Sequence, residues 1–589
     1  MREMINEALK VRTPERFRTL HERAAVYYET QMANATGEEQ ERYAAERLYH
    51  HIHADEMSGI RLFQEIAEEL TRASLINQLR TLMNDINTYS QQLVYENSRL
   101  WVLYYNARLM HLMAQKSEAL KFYVAIGERQ DIDAKLRAYA LCDWSRVLSD
   151  RELLFQPGVA EKAMQVSNQS LQVVPIPDEK LILNYRAQSD ISFSVWGNWD
   201  KAFDLLRQMQ KFYEERGDGY GQAFALKTIQ TLAAVRGDWY TMLSARRDGL
   251  QKLPVQFKRA SLYADLLAGW SPAYAWTGRY AEAERNTRQG ISIAKEVGEV
   301  DLRGYLRDLG IVLAFQGKYK ESSAYIEEAF TLNAKLGRED LDRSTTLRFQ
   351  AVCLLREGNL EASRQLLEET SKLVSRATYK TAMGEVQAWL GLANELGKDW
   401  SSALTCYQHS LEFRGRRYFE CAALTGLCRV KHAQGEYEAI PPLLAEASQL
   451  AQQYEYNDNF TSLYLTRGHI TWDGLIPEWE SGFDAVLHFY QLTLIHALRY
   501  NRFLLDEALA GRELGTPLRP IIEHCLNHGE EGQRMLVALR DWWLSGMNDI
   551  DTQRPDTISP IPEGIPLLEA ESLARQREPG IGSEQKRVV

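Results

Sequence analysis

The chain contains 589 residues, of which 45% are hydrophobic and 25% are charged, and its formal net charge is −11. This composition is that of an ordinary globular protein and excludes collagen-like and low-complexity chains. The balance of 69 Lys and Arg against 80 Asp and Glu argues against broad, sequence-independent nucleic-acid binding, which needs a basic surface.

The sequence shows neither a secretion signal nor a membrane anchor. No basic segment followed by an apolar stretch precedes Thr13, and no uncharged run of about 18 apolar residues occurs. We therefore expect a soluble, cytoplasmic protein with reduced cysteines that behave as small buried hydrophobes. The six cysteines form no Cys-x-x-Cys pair and are Cys142, Cys353, Cys406, Cys421, Cys428 and Cys525.

Residues 1–95 are predicted to form an N-terminal helical cap region. Thr13 is a candidate N-cap, Pro14 suits the first turn of a helix, and Glu15 places a negative charge near the positive helix end. Apolar spacing predicts helices over residues 17–32, 38–56 and 60–81.

Residues 96–475 contain a repeat marked by glycines. Each glycine is followed two or three positions later by an aromatic residue or leucine. The distances between consecutive glycines are 40, 41, 39, 41, 39 and 38 residues, a regularity that unrelated glycines would not keep. The glycines are Gly197, Gly237, Gly278, Gly317, Gly358, Gly397 and Gly435.

The residues between two of these glycines are enough for two helices and a tight turn. The apolar segment 309–315 has helical spacing and stops at Gly317, which can adopt the left-handed conformation that ends a helix. The next segment places Ser322, Ile326 and Ala329 on one helix face. One such hairpin cannot bury both apolar faces alone, so the pattern predicts an all-α solenoid of stacked hairpins, each of about 40 residues.

The repeat resembles the tetratricopeptide repeat (TPR) family. The resemblance implies a right-handed superhelix in which the first helix of each hairpin lines an inner groove. The period exceeds the usual 34 residues or so of that family and is similar to long-helix variants in bacterial regulators. The residues that carry the resemblance are Leu309, Gly310, Leu313, Gly317, Ser322, Ile326 and Ala329 in one unit, Phe193, Gly197, Ala202 and Leu206 in another, and Tyr274, Gly278 and Ala283 in a third.

Two N-terminal segments, residues 20–28 and 45–50, are similar to the junction that leads into the TPR-like repeats of STAND-type signalling NTPases. The resemblance implies a helical sensor arm without the nucleotide-hydrolysing part. The nearest approach to a P-loop runs from Gly391 to Asp399 and has five residues between its glycines, with Asp after Lys398. A P-loop has four residues there and Ser or Thr after the lysine, so we expect no nucleotide hydrolysis.

Residues 476–547 are predicted to form a C-terminal helical cap, because the last unit of a solenoid must present one face to water. Helical spacing covers residues 483–508, 517–527 and 533–544. Five prolines interrupt residues 548–589, which are predicted to be a disordered tail. The surface of an incomplete terminal repeat could mediate self-association.

Two groups of histidines have spacings compatible with metal binding. His524 and His528 lie four residues apart and so share a helix face, but Cys525 stands where a zinc protease has glutamate. His50 and His53 also share a face. Each pattern is more typical of a polar helix end, so we predict no metal site, no cofactor and no catalytic residue.

The groove implied by the TPR resemblance is predicted to carry a row of cations. In three repeats the same position of the first helix is a cation, namely Lys227, Arg307 and Arg348. Arg356, Arg429 and Asn184 lie at other inward-facing positions of first helices. Such a row is suited to binding the carboxylates of an acidic peptide or a chain terminus, and a solvated charged face is the alternative. The predicted site consists of Asn184, Lys227, Arg307, Arg348, Arg356 and Arg429.

These patterns predict a non-catalytic scaffold or sensor that binds a protein or peptide and regulates a partner effector. We expect no direct contact with nucleic acid or membrane. Two alternatives remain open: a small-molecule-responsive regulator that holds its ligand in the groove, and a metal-dependent hydrolase that uses His524 and His528.

Overall fold

The computed structural model describes residues 11–72, 75–113, 115–174, 178–258, 261–276, 279–297, 302–335, 341–376, 380–413, 416–454, 456–474, 482–500 and 518–546. Within these residues the regular elements are helices, and no strand occurs. Where the connection between two consecutive helices is described, it is a short turn, as between Leu302–Phe315 and Tyr319–Lys335.

The α-helices are α1 (Pro14–Asn34), α2 (Glu38–Ala54), α3 (Glu56–Arg72), α4 (Ile76–Tyr89), α5 (Glu96–Leu112), α6 (Lys116–Gly127), α7 (Ala134–Leu148), α8 (Arg151–Leu154), α9 (Val159–Val173), α10 (Leu183–Ser194), α11 (Trp199–Glu215), α12 (Gly219–Arg236), α13 (Trp239–Lys252), α14 (Ser261–Ala268), α15 (Ser271–Trp276), α16 (Tyr280–Val297), α17 (Leu302–Phe315), α18 (Tyr319–Lys335), α19 (Leu341–Glu357), α20 (Leu360–Arg376), α21 (Lys380–Leu396), α22 (Trp400–Glu412), α23 (Arg417–Gln434), α24 (Ile440–Tyr454), α25 (Asn457–Trp472), α26 (Phe483–Tyr500), α27 (Leu518–Leu526) and α28 (Gly529–Gly546). Short 3₁₀ turns cover Ser90–Gln92, Val255–Phe257 and Tyr437–Ala439.

The chain divides into two compact units. Unit 1 comprises Met1–Ala225, Gln251–Tyr263 and Ile293–Val300, and unit 2 comprises Leu226–Leu250, Ala264–Ser292 and Asp301–Val589. Within each unit, neighbouring helices pack as hairpins, such as α10 with α11 in unit 1 and α17 with α18 in unit 2. First helices of successive hairpins also pack on each other, as α21 does on α23 and α23 on α25. This is the arrangement of an all-α, TPR-like solenoid, and it confirms the predicted fold class.

The predicted turn glycines end helices as expected at most of the described turns. Gly197, Gly237, Gly317, Gly358 and Gly435 all have positive φ angles. After Gly317, for example, the Lys318 N–H donates to the carbonyl of Leu313 at 2.9 Å, which closes the helix end. Gly278 lies outside the described residues.

The turn at Gly397 differs from this pattern. Its left-handed residue is Lys398, with φ of 61°, and the Asp399 N–H donates to the carbonyl of Asn394 at 2.9 Å. Lys398 therefore occupies the position that glycine holds in the other turns. The sequence shows the same shift, because Trp400 lies three positions after Gly397 whereas the other turns have two, so this unit carries one extra residue.

Small residues allow the helices of unit 2 to approach closely. A Cβ atom added at Gly310 would lie 2.7 Å from Ile326 Cδ1, and one added at Gly426 would lie 2.2 Å from Tyr407 Cζ. Tyr407 is buried, and its hydroxyl donates to Glu395 Oε2 at 2.6 Å. The glycines at these positions are therefore needed for packing rather than for a turn.

The core of unit 1 continues from the N-terminal helices into the repeats, from Leu48 to Ile191. The predicted helix over residues 60–81 was wrong, because α3 ends at Arg72 and α4 begins at Ile76. Phe63 on α3 and Met83 on α4 are both buried in this core. The apolar pattern therefore continues through the break, and periodicity alone did not reveal it.

The described C-terminal helices α26, α27 and α28 share a core that includes Tyr490, Ile521 and Met535. Residues 501–508 of the predicted helix and the predicted tail, residues 548–589, lie outside the described residues. Among the helices that the structure describes, none is long and apolar enough to cross a bilayer.

Candidate functional site

The predicted cation row is divided between the two units. Asn184 belongs to unit 1, whereas the other five residues belong to unit 2. Asn184 is fully buried, and its amide nitrogen donates to Ser170 Oγ at 3.0 Å and to the carbonyl of Leu181 at 2.9 Å. Its amide oxygen accepts a bond from Ser167 Oγ. We correct its assignment to the groove, since these bonds hold α9 against α10.

In unit 2, Lys227 begins a chain of contacts across three successive first helices. Lys227 Nζ on α12 lies 2.7 Å from Asp265 Oδ2 on α14, and the Tyr305 hydroxyl on α17 donates to Asp265 Oδ1 at 2.5 Å. The side chains of Lys227 and Asp265 are 22% and 30% exposed. This ion pair is therefore reachable from solvent.

Arg307 lies two residues after Tyr305 on α17 and contacts a neighbouring carboxylate. Its Nε and Nη2 atoms are both 3.4 Å from Asp308 Oδ1, and its guanidinium lies 5.2 Å from the centroid of the Phe349 ring. Burial raises the pKa of Asp308 to about 6, against the opposing effect of Arg307. With 20% of its side chain exposed, Arg307 can also be reached by a ligand.

Arg348 occupies a different environment from the one predicted. It is buried, and its Nε lies 3.0 Å from Glu385 Oε1, while Arg416 contacts the second oxygen of Glu385. Glu385 is itself almost completely buried. A buried carboxylate between two guanidinium groups is a structural ion triad. We therefore correct the expectation that Arg348 is available to a peptide.

Arg356 and Arg429 also have partners within unit 2. The Arg356 guanidinium lies 4.2 Å above the centroid of the Phe315 ring. Arg429 forms two parallel bonds to Glu395, from Nε at 2.5 Å and from Nη2 at 2.9 Å, and its Nη1 donates to Ser462 Oγ. A bidentate pair of this kind fixes the guanidinium geometry.

The sequence analysis missed the carboxylates that pair with these cations. Asp265 follows Lys227 by 38 positions and Glu385 follows Arg348 by 37, close to one repeat. Comparing each cation with the residue one repeat further along would have found these acids. The face is therefore a ladder of paired charges rather than a basic surface, and Lys227, Asp265, Arg307 and Arg429 keep between 20% and 30% of their side chains exposed.

Unit 1 contains a second group of charges around Asp143. This carboxylate is buried and lies 2.8 Å from Lys180 Nζ and 2.7 Å from Arg146 Nη1, and it accepts a bond from the Tyr104 hydroxyl. Burial opposes ionisation of Asp143, but the two cations hold its pKa well below its usual range. Because its partners are internal, we interpret this group as structural.

The two histidine groups differ in their surroundings. In unit 1, His50 Nδ1 lies 2.8 Å from His21 Nδ1, and the His53 ring stacks on that of His21. In unit 2, His524 and His528 meet Asp473, which follows the end of α25. Burial lowers the pKa of His524 to about 4. Asp473 could not be paired with these histidines from spacing, since it lies about 50 positions earlier.

The cysteines are not suited to nucleophilic chemistry. All six are free, and five of them are buried. Burial raises the pKa of Cys353 and of Cys142 to about 12 each, so both remain protonated at neutral pH. The burial of these five agrees with the prediction of small buried hydrophobes, whereas Cys406 is only partly buried.

No protein-family model matches the chain, and a search of curated proteins finds no match. Among solved structures, the chain is similar to a Rap protein complexed with competence and sporulation factor, with 13% identity, a TM-score of 0.48, and coverage of 60% of this chain and 97% of that one. It is also similar to human IFIT1 with PPP-AAAA (13% identity, TM-score 0.37, coverage 74% and 92%) and to the Cut9–Hcn1 hetero-tetramer (12% identity, TM-score 0.32, coverage 80% and 94%). At such identities and TM-scores, function has to be argued from this chain's own residues. Those residues form an all-α, TPR-like solenoid.

Proposed function

We propose that this chain is a non-catalytic recognition scaffold that binds an extended peptide segment along the first helices of unit 2. The observation that carries the proposal is a ladder across α12, α14 and α17, in which Lys227, Asp265 and Arg307 are partly exposed and the buried Tyr305 holds Asp265 through its hydroxyl. Polar groups on successive first helices offer a peptide several contacts at about one repeat's spacing.

The free energies of the ion pairs indicate where a ligand can replace an internal partner of the ladder. A partly exposed ion pair such as Lys227–Asp265 contributes about 1 kcal/mol or less, so a ligand carboxylate can replace Asp265 at small cost. Breaking the buried Arg348–Glu385 contact would cost about 3–5 kcal/mol. Binding is therefore proposed at Lys227 and Arg307, and not at Arg348.

The same ladder defines the chemistry of the partner. Lys227 and Arg307 attract acidic groups, whereas Asp265 attracts a cation or an N–H donor. The partner that fits is an extended segment of mixed charge with at least one acidic side chain. The resemblance to STAND sensor arms supports a regulatory role, in which binding of this segment controls a partner effector.

A peptide-binding assay tests this proposal. Fluorescently labelled acidic, basic, neutral and mixed-charge decapeptides are titrated with the purified chain, and fluorescence polarisation gives the dissociation constants. The double variant Lys227→Gln/Arg307→Gln is compared with Lys320→Gln/Arg364→Gln, which removes two cations from the second helices α18 and α20. We expect mixed-charge peptides to bind, and the first variant to weaken them about tenfold or more, because each lost charge-assisted bond contributes roughly 1.5–3 kcal/mol.

The control variant should retain wild-type affinity, and thermal denaturation shows whether both variants are folded. Binding should also weaken as salt is raised, since the contacts are ionic and partly exposed. If no peptide binds, or if both double variants bind equally well, the ladder is not the recognition surface.

A further inference from the structure

A cluster of imidazole side chains surrounds Asp473 in unit 2. Asp473 follows the last residue of α25, His432 lies near the end of α23, and His524 is on α27. His528 lies in the turn between α27 and α28. Nitrogen or oxygen atoms from four parts of the chain therefore lie close together. The spacing of residues along one helix would not bring these four side chains together.

The distances fit the coordination shell of a small divalent metal ion. Asp473 Oδ1 lies 3.2 Å from His528 Nε2 and 3.5 Å from His524 Nε2. In a tetrahedral zinc site with bonds of about 2.0–2.1 Å, the ligand atoms are roughly 3.3–3.4 Å apart. The three donor atoms all lie within 4.8 Å of one another, so small side-chain rotations bring them to three of the four tetrahedral positions and leave the fourth to water.

The hydrogen bonds orient the His528 ring in the manner of a metal ligand. His528 Nδ1 lies 2.8 Å from the carbonyl oxygen of His524, and because a carbonyl only accepts, Nδ1 carries the proton. In the neutral ring, the lone pair of Nε2 then faces Asp473 Oδ1, which is also an acceptor. Two acceptors facing each other need either a proton or a metal ion between them, and a metal-bound histidine typically donates its other nitrogen to a carbonyl.

The other donors are held in place by their neighbours. His524 Nε2 is buried and has no hydrogen-bond partner, although it lies near the same carboxylate oxygen. The His469 ring stacks on His524 with a centroid distance of 4.2 Å, and the Trp472 ring lies 4.6 Å from that of His528. On the far side of the carboxylate, His432 Nε2 is 2.6 Å from Asp473 Oδ2 and orients it.

We propose that Asp473, His524 and His528 bind a divalent transition-metal ion of the zinc class. His432 acts as a positioning residue through the second oxygen of Asp473. The ion connects the end of α25 to the α27–α28 turn and thereby stabilises the C-terminal helices of unit 2. Two imidazole nitrogens and one carboxylate oxygen favour Zn²⁺ and Co²⁺ over Mg²⁺ or Ca²⁺, because the latter two ions prefer oxygen ligands. This departs from the expectation that the chain has no metal site.

Titration of the full chain with the metal alone tests the proposal. The protein is treated with a chelator, dialysed and titrated with Zn²⁺ by calorimetry, and its thermal unfolding is followed with and without Zn²⁺. We expect one site, a higher melting temperature with Zn²⁺, and a visible Co²⁺ spectrum of the four-coordinate type. Melting temperatures that do not change with Zn²⁺ would overturn the proposal.

Variants separate this site from adventitious binding to other histidines. His524→Ala should weaken Zn²⁺ binding more than about tenfold, and His432→Gln should weaken it by about 10–100-fold through the loosened carboxylate. His409→Ala is the control, because it removes an exposed histidine of α22 that contacts Glu412 and lies outside the proposed site. This variant should bind Zn²⁺ with wild-type affinity. Wild-type Zn²⁺ affinity in a folded His524→Ala variant would also overturn the proposal. Mg²⁺ in place of Zn²⁺ should give no thermal shift.

Discussion

At the scale of single residues, the charged side chains of the ladder differ in how strongly burial disfavours their ionised forms. Lys227 and Asp265 remain partly exposed and form a pair, whereas Asp308 is buried and its contact with Arg307 is a longer one at 3.4 Å. Burial penalises its ionised form more than Arg307 favours it, so the pKa of Asp308 is raised from 3.8 to about 6. A raised carboxyl pKa means that the folded state binds a proton that the unfolded state releases.

Asp308→Asn is therefore expected to stabilise the protein above pH 6. Between about pH 4 and pH 6 the folded chain holds the proton of Asp308 and the unfolded chain does not, so stability falls as pH rises through this window. The asparagine variant does not ionise, and it should gain up to about 3 kcal/mol at pH 7.5. Thermal or urea unfolding at pH 4 and pH 7.5 measures the difference.

The stabilisation by Asp308→Asn should shrink to about 0.5 kcal/mol near pH 4, where the unfolded state is already partly protonated. Asp204→Asn removes an exposed carboxyl of α11 that pairs with Arg207, and it should change stability little at either pH. Equal effects of Asp308→Asn at both pH values would show that Asp308 does not titrate in this window.

At the scale of the helices, the turn between α21 and α22 departs from the glycine pattern that the other described turns follow. Lys398 holds the left-handed conformation that glycine holds at Gly317, Gly358 and Gly435. For a residue with a Cβ atom this conformation costs about 1–2 kcal/mol. The hairpin still forms because Tyr407 packs against Gly391 on α21 and Gly426 on α23.

Lys398→Gly should stabilise the chain by about 1 kcal/mol, because glycine adopts the left-handed conformation without this backbone strain. The Lys398 side chain is exposed, so its removal loses no buried contact. Lys372→Gly is the matched control, since Lys372 is exposed within α20, where glycine should destabilise by about 1 kcal/mol. Urea unfolding of both variants provides the test. Two effects of the same sign would contradict the strain at Lys398.

At the largest scale, distant repeats of unit 2 contact each other. The hydroxyl of Tyr456, just before α25, donates to the carbonyl of Gly237 at 2.6 Å across 219 residues of sequence. Trp239 lies in the same cluster, with its ring centroid 5.8 Å from that of Tyr456. This contact ties the α12–α13 turn to the α24–α25 turn. It provides unit 2 with a restraint that stacking of neighbouring hairpins does not supply.

Tyr456→Phe should destabilise unit 2 by about 1–3 kcal/mol, since it leaves the buried carbonyl of Gly237 without its donor. Amide hydrogen exchange should accelerate in both turns, even though they are far apart in sequence. Tyr240→Phe, at a tyrosine that is 78% exposed, should leave exchange unchanged. Faster exchange confined to the turn before α25 would show that the two turns are not coupled.

The local sequence by itself determined the helical hairpins and the positions of most turns. Gly317 and Gly358 end helices because glycine tolerates positive φ, and the small residues at Gly310 and Ala329 mark close packing. These are properties of neighbouring residues, so the pattern of one repeat contains them. The all-α, TPR-like fold followed from their regular spacing.

Which polar groups meet depends on the packing of helices that are far apart in the sequence. Arg348 and Asn184 lie on the helices predicted to line the groove, yet the stacking of neighbouring helices buries both of them. Glu385 reaches Arg348 from the next hairpin, and Asp473 reaches His524 from another helix. The physical reason is that helix periodicity defines a face within one element, whereas the exposure and partners of a side chain on that face depend on how elements far apart in sequence pack against it.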